Sequence, residues 1–264
     1  MPSWIKQKVL IAVRTYPTPS SKSVEASCTA GVISGGKWIR LFPIPYRLMN
    51  EARQFEKWHW IEVETTKATN DQRPESFKIN QDSLAIGEHV GTKDGWQERR
   101  RLLESLRRSS MCRIQQERDE NDAPTLGFFR PFKIKRLLIE PAAQEDWTDE
   151  ERVVLQRGGD LFQKAPEQLL GKIPLEFRYE FRCGDVDCSG HKMMCTDWEM
   201  MQAYRSWRKK YGDEWEKKFR QRFEEEMINK NDTHFFVGTL HQYPSRWIVV
   251  GLFYPPKAQT GSLI

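Results

Sequence analysis

Three of the chain's five cysteines and one of its five histidines fall within thirteen residues: Cys183, Cys188, His191 and Cys195, in the stretch FRCGDVDCSGHKMMCTDWE. Thiolates and an imidazole are the donor set of a tetrahedral zinc ion. The spacing Cys183-x4-Cys188-x2-His191-x3-Cys195 lets one short loop wrap an ion, and Gly184 and Gly190 permit the dihedrals that wrapping needs. No other feature constrains the fold as much, because four ligands would fasten the end of a strand to the start of a helix. Four protein ligands close the coordination sphere and make the zinc structural. Three would leave a metal-bound water with Asp197 or Glu199 as base. A polar loop of reduced thiols with no metal is the third reading. The His-x-Glu and Pro-Cys-x-x-Cys signature of zinc deaminases is absent. Thr196-Asp197-Trp198-Glu199 reads first as a capping box, in which the Thr hydroxyl and the Glu carboxylate satisfy amides at a helix start.

The pattern on either side of this loop is mixed. Residues 8–14 form a β-branched apolar run suited to a buried strand. SVEASCTAGVIS and KWIRLFPIP flank a Gly-Gly turn and read as a hairpin, and KWHWIEVETT (57–66) is a further strand. Short strands with little helix predict a small closed barrel over the first ninety residues. Residues 94–118 place Leu102, Leu103, Leu106 and Ile114 at helical spacing among arginines, an amphipathic helix or helix pair. Residues 130–141 are a strand candidate, EDWTDEERVVLQR a short helix opened by Thr148 or Asp149, and residues 173–183 a half-buried strand alternating Leu175, Phe177, Tyr179 and Phe181. A helical region runs from Asp197 to about Asn229 with a break at Gly212-Asp213, and HFFVGTL and RWIVVGLFYPP close the chain as a hairpin. The fold class is α+β: two β-rich halves with helical insertions and a cysteine/histidine loop. The expected units are an N-terminal β domain over 1–92, a basic helical connector over 93–128, and a C-terminal α+β domain over 129–264.

Small barrels bind single strands by stacking bases on aromatics beside basic side chains. Arg40, Arg47 and Trp58 have that interleaving in the first unit. Arg99, Arg100, Arg101, Arg107 and Arg108 make a basic face on the connector that can track phosphates. The alternative is a solvated helix face paired with Glu98, Glu104 and Glu117. A formal net charge of +5 is too mild to decide between them. A second reading is a protein adaptor, with the aromatic stripe of helix 197–229 (Trp198, Trp207, Trp215, Phe219, Phe223) docking a partner. A third is a metal-dependent hydrolase using Asp197 and Glu199. No GxxxxGK loop, no Gly-x-Ser-x-Gly elbow and no Glu-x-Lys strand occurs where it is needed, so the chain reads as a non-enzymatic binder. Ten Trp and fourteen Phe argue against disorder. The absence of a long apolar run and the clustered, odd cysteine count fit a reducing cytoplasm, with no membrane partner.

The phrases TYPTPS with SCTAGV, GKWIRLFPIPYR, RPESFKI, TLGFFRPFKI, FRYEFRC followed by CSGH and DWE, and FFVGT with IVVGLFYPP occur in this order. As a set they resemble an uncharacterised family of bacterial proteins described as dual OB-containing domains. The resemblance implies two small oligonucleotide-binding-type (OB-like) β-barrels, over 1–92 and 129–264, and an accessory role in genome defence, with other defence-system proteins as partners. The adaptor reading would place the chain in a defence or toxin–antitoxin complex. It implies counterparts for Cys183, Cys188 and His191 more readily than for Cys195, leaving His234 or His241 as alternative fourth ligands. It brings no established reaction.

Overall fold

The computed structural model describes residues 3–121, 124–157 and 169–257. The first sheet holds β1 (Ile5–Arg14), β2 (Thr18–Ser20), β3 (Val24–Ile33), β4 (Lys37–Ile44), β5 (His59–Lys67), β6 (Ser76–Ile79) and β7 (Ala85–His89). Its path β1-β3-β4-β6-β5 returns on itself because β5 also pairs antiparallel with β1, from Ile5 opposite Thr65 to Leu10 opposite Trp60. Five strands therefore form a closed barrel, with β7 added to β5 and β2 to β3. The β3–β4 hairpin turns through Gly35 and Gly36, both at positive φ, as the Gly-Gly turn requires.

The second sheet holds β8 (Arg107–Arg108), β9 (Leu126–Phe129), β10 (Lys133–Pro141), β11 (Leu175–Arg182), β12 (His191–Cys195), β13 (His234–Thr239) and β14 (Trp247–Phe253). Its order is β10-β11-β12-β14-β13-β9-β8, and it does not close among the described residues. The architecture is thus α+β with one closed five-stranded barrel and one open sheet, where two barrels were expected. Around them lie α1 (Lys93–Leu103), α2 (Met111–Asn121), α3 (Asp149–Gln156), α4 (Trp198–Tyr211), α5 (Trp215–Arg220), a π-helical turn over Gln221–Glu225, and α6 (Glu226–Asn229). Thr148 caps α3 in a reciprocal box with Glu151. Gly212, at φ +53°, breaks the helical region after α4. No described helix is long and apolar enough to cross a membrane.

Three apolar clusters organise the interior. Val9, Ile11, Ile39, Leu41, Ile61 and Val63 fill the barrel. The alternate residues of β1 and β3 (Leu10, Ala12, Ala30 and Val32) point the other way and meet Phe236, Ile248, Val250 and Phe253 of the second sheet. Strand β1 is buried on both faces, which is why its sequence is a continuous apolar run rather than an alternation. Leu103 and Leu106 of the expected connector, with Leu126 and Phe128, join this shared core, so the connector's described apolar residues pack against both sheets.

The same seam corrects one expected contact residue. Arg40 on β4 is only 1% exposed. Its Nη2 donates to Glu75 Oε1 at 3.1 Å and to Thr125 Oγ1 at 2.9 Å. Glu75 in turn receives the Thr125 hydroxyl and amide. Arg40 is an internal tie between the two sheets and does not reach a nucleic acid.

Candidate metal centre and inter-sheet pocket

Cys112, Cys183, Cys188 and His191 offer donor atoms that all lie within 4.8 Å of one another. Cys183 follows the end of β11, His191 opens β12, and Cys188 lies in the loop between them, where Gly190 adopts φ +100°. Cys112 arrives from the first turn of α2. From His191 Nε2 the Sγ atoms of Cys183, Cys188 and Cys112 are 3.2, 3.5 and 3.5 Å away. A tetrahedral ion with bonds of about 2.3 Å to sulfur and about 2.0 Å to nitrogen separates such donors by roughly 3.6 Å. Four donors this close could hold a metal ion. Phe181 stacks on the imidazole at 5.0 Å and fixes the ring, while the Met111 and Cys183 amides donate to Cys183 Sγ and Cys188 Sγ.

Without a cation the thiols compete. Burial, with the neighbouring Cys183 and Cys188 sulfurs, pushes the Cys112 thiol up to about 12. Burial also raises Cys183. Cys188 is lowered, since hydrogen bonds outweigh its own burial. Burial lowers the His191 pKa, which favours the neutral imidazole that ligates metals.

Cys195, the fourth ligand expected from the spacing, is corrected to Cys112. Cys195 lies four residues past His191 on the same extended strand, about 13 Å along it at roughly 3.3 Å per residue. Its side chain is fully buried, and burial beside Asp197 raises its thiol. The alternative histidines are elsewhere too: His234 stacks on Phe128 and His241 lies beside Asp71.

A second site opens where the barrel meets α4 and the π-helical turn. It is a cavity of about 650 Å³ lined by residues from both halves of the chain. Lys57, only 4% exposed, sits at its base. Its Nζ donates to Asp197 Oδ2 at 3.1 Å and Glu199 Oε2 at 3.2 Å. Burial opposes the ammonium charge, but the two carboxylates outweigh it and raise the Lys57 pKa. Burial would push the Glu199 carboxyl up, yet Lys57, with Arg14 and Arg99 behind it, holds it below the usual range.

Guanidinium groups stack on rings around this base. Arg14 lies 3.9 Å from the Tyr46 centroid and 4.5 Å from that of Trp198. Arg99 lies 4.5 Å from Trp58 and 4.9 Å from Trp96, and Arg222 lies 4.9 Å from Tyr254. Burial pulls Arg99 down to about 10, which leaves it charged at neutral pH. Two of these aromatics are held in a left-handed backbone, Trp58 at φ 72° and Trp96 at φ 65°. A bulky residue rarely accepts that conformation, and such strain clusters at functional sites. The π-helical turn that delivers Arg222 and Phe223 to the wall is likewise a feature concentrated at such sites.

Asp197, not Thr196, caps α4. Its Oδ1 accepts from the Met200 amide at 3.1 Å, and its Oδ2 accepts from the Leu252 amide at 3.1 Å besides Lys57. Both oxygens are fully engaged. Of the arginines expected on the connector, Arg99 is buried in this pocket and donates to the Val90 carbonyl. Arg100 pairs with Asp232, Arg101 with Glu98 and Arg108 with Glu117, while Arg107 is exposed. Arg47 pairs with Glu25, and Trp58 is buried against Phe253 while lining the pocket. The stripe expected to dock a partner is largely interior: Trp215, Phe219 and Phe223 belong to the second-sheet core, and Trp198 and Trp207 turn to the pocket. Sequence reasoning missed Cys112 and Arg14, and it placed Lys57 only in the basic–aromatic run KWHW with Trp58 and Trp60. A lone cysteine in an arginine-rich helix carries no ligand spacing, and nothing in Lys57 or Arg14 marks a residue that will meet a helix 140 positions away.

Residues 107–264 match the family model described as Domain of unknown function (DUF8757), and residues 5–105 match that described as Domain of unknown function (DUF8758). The chain belongs to the first of these families, whose match covers more than half of it. No curated protein matches the chain. The border between the two matches falls between α1 and α2, so Cys112 lies in the same matched segment as the other three metal-site residues.

Proposed function

We propose that this chain is a nucleic-acid-binding protein that prefers single strands, and that its cysteine/histidine centre holds a structural zinc ion. The observation that carries the first part is the pocket. Stacked guanidinium groups and aromatic rings meet in one open cavity at the seam between barrel and helices. Single strands are bound by this combination of base-stacking rings and backbone-tracking cations. The closed five-stranded barrel supports an OB-like reading of the first unit. The recognition surface is the seam rather than the outer arginine face, because Arg100, Arg101 and Arg108 already have carboxylate partners. Zinc is the metal that three thiolates and one imidazole at tetrahedral spacing select. With four protein donors it would fasten α2 to the β11–β12 loop.

A binding role suits the carboxylates better than catalysis. Asp197 has no free oxygen to act as a base, and Glu199 is tied to Lys57. The test is fluorescence anisotropy of labelled single-stranded DNA, single-stranded RNA and duplex DNA at about 50 and about 200 mM salt. Single-strand binding that weakens with salt is the expected result. No binding of any of the three at low salt would refute the reading.

A further inference from the structure

We propose that the inter-sheet pocket takes one unstacked nucleotide, with its base against the rings and its phosphate on Arg14 and Arg99. The inference rests on the nucleic-acid reading and goes on to fix its mode: a single nucleotide unit suffices for recognition.

Two guanidinium groups on the cavity wall are not fully used by acceptors among the described residues. Arg14 is 8% exposed; one Nη donates to the Phe55 carbonyl at 2.9 Å, and its Nε has no hydrogen-bond partner among the described residues. Arg99 is 5% exposed and directs Nε and Nη2 to the Val90 carbonyl, leaving Nη1 without a protein acceptor among those residues. Arg14 Nε is a buried donor without a partner among the described residues, which costs free energy. The guanidinium groups of Arg14 and Arg99 both line one cavity, so their charge marks a place where an anion belongs. The planar guanidinium fork matches phosphate oxygens.

The rest of the lining selects what accompanies that anion. A cationic ligand, the usual guest of an aromatic cage, is disfavoured by Arg14 and Arg99, while the charges of Lys57 and Arg222 are already paired with Asp197, Glu199 and Glu226. A free inorganic anion leaves most of a 650 Å³ cavity and its rings unused. Small-molecule pockets run from about 300 to about 1,000 Å³, so a planar base joined to a sugar and a phosphate is of the right size. The Glu199 carboxylate, 44% exposed, repels phosphate from its side and leaves the guanidinium groups as the anion's seat. In a strand, the nucleotide reaching this depth must leave its neighbours' stack, as a terminal or extruded residue does.

The experiment titrates the full chain, at about 50 mM salt, with nucleoside monophosphates, the matching nucleosides and inorganic phosphate, following tryptophan fluorescence and calorimetry. A saturable quench by the monophosphates is expected, with nucleoside and inorganic phosphate each binding at least about tenfold more weakly. Ser206→Trp fills the pocket from its exposed rim without disturbing the core. It should weaken monophosphate and single-strand oligonucleotide binding together by at least about tenfold while the thermal unfolding curve stays in place. Arg14→Lys keeps the charge and loses the fork, and should weaken the nucleotide more than the nucleoside. If oligonucleotides bind but monophosphates do not, and Ser206→Trp leaves oligonucleotide binding intact, the pocket inference falls and the nucleic-acid reading stands. If neither binds, both fall. Nucleoside binding as tight as nucleotide binding would overturn the phosphate seat.

Discussion

Replacing Asp197 with Ala is the sharpest test of how the two halves are joined. The side chain performs three tasks within one buried spot: it caps α4 through the Met200 amide, accepts from the Leu252 amide of β14, and pairs with Lys57 from the barrel. Losing an N-cap costs about 1 kcal/mol. Leaving the Leu252 amide buried and unpaired costs about 1–3 kcal/mol. Breaking one side of a buried ion pair costs about 3–5 kcal/mol, because the surviving charge stays inside. These overlap at one carboxylate, and Glu199 retains part of the ammonium, so roughly 4 kcal/mol is expected. For 264 residues at about 2.1 cal/mol/K each, the unfolding entropy is about 0.55 kcal/mol/K. The midpoint should therefore fall by roughly 7 °C in a thermal melt followed by circular dichroism. Glu199→Gln touches the same lysine from a partly exposed position and should shift it by less than about 2 °C. Lys57→Met added to Asp197→Ala should recover part of the loss, since it removes the stranded charge. A shift below about 2 °C for Asp197→Ala, or strict additivity in the double variant, would refute the keystone role.

Other outcomes follow from the same contacts. Protein purified under reducing conditions without chelator should contain one metal ion per chain by elemental analysis; Cys112→Ser should lose it and Cys195→Ser should keep it, and the reverse would reinstate the ligand set read from spacing. Arg40→Met strands the buried Glu75 carboxylate and should cost about 3–5 kcal/mol in urea unfolding. An unchanged midpoint would show that the tie is not made. Gly31→Ala drives a methyl to 2.1 Å from the Leu10 carbonyl oxygen in the β1–β3 ladder and should cost about 3 kcal/mol, which the same denaturant titration would detect. Burial lowers the pKa of His234. Its contribution to stability is therefore complete above the unfolded histidine value near about 6.5 and declines as pH falls through it. Urea midpoints should drop from about pH 7 to about pH 5, and His234→Phe should flatten that slope; an unaltered slope would remove His234 as its source.

The residues that sequence placed well and those it misplaced differ in one physical respect. In β11 the alternation Phe177, Tyr179, Phe181 was legible because one face meets the second-sheet core and the other is more open. Thr148, Gly212 and the Gly35-Gly36 turn were legible because caps and turns are set by neighbours a few residues away. In β4 the same period-2 logic sends Ile39 and Leu41 into the barrel and Trp38 and Arg40 outward. That assignment holds, but it says nothing about what covers the outward face. The second sheet covers it: Trp38 meets Phe236 edge-on at 6.1 Å, and Arg40 finds Thr125. A face that would be a stacking platform on an isolated barrel thereby becomes core.

Cys112 escaped for the matching reason. It stands 71 residues before Cys183, and only the packing of α2 against the β11–β12 loop brings it within 3.5 Å of His191. The pocket is the remainder of this process. Where the second half stops covering the barrel, Arg14, Trp58 and Arg99 meet the helical wall without being sealed by it. Arg99 and Trp58 were read in sequence as part of a basic face and a stacking platform, but their neighbours in the fold are not the ones beside them in the chain. Periodicity fixes which way a side chain points, and the seam between two sheets decides whether it ends in core, in a metal cluster or at an open cavity. For this chain the guanidinium groups of Arg14 and Arg99 that line that cavity make it the place to test for ligand chemistry.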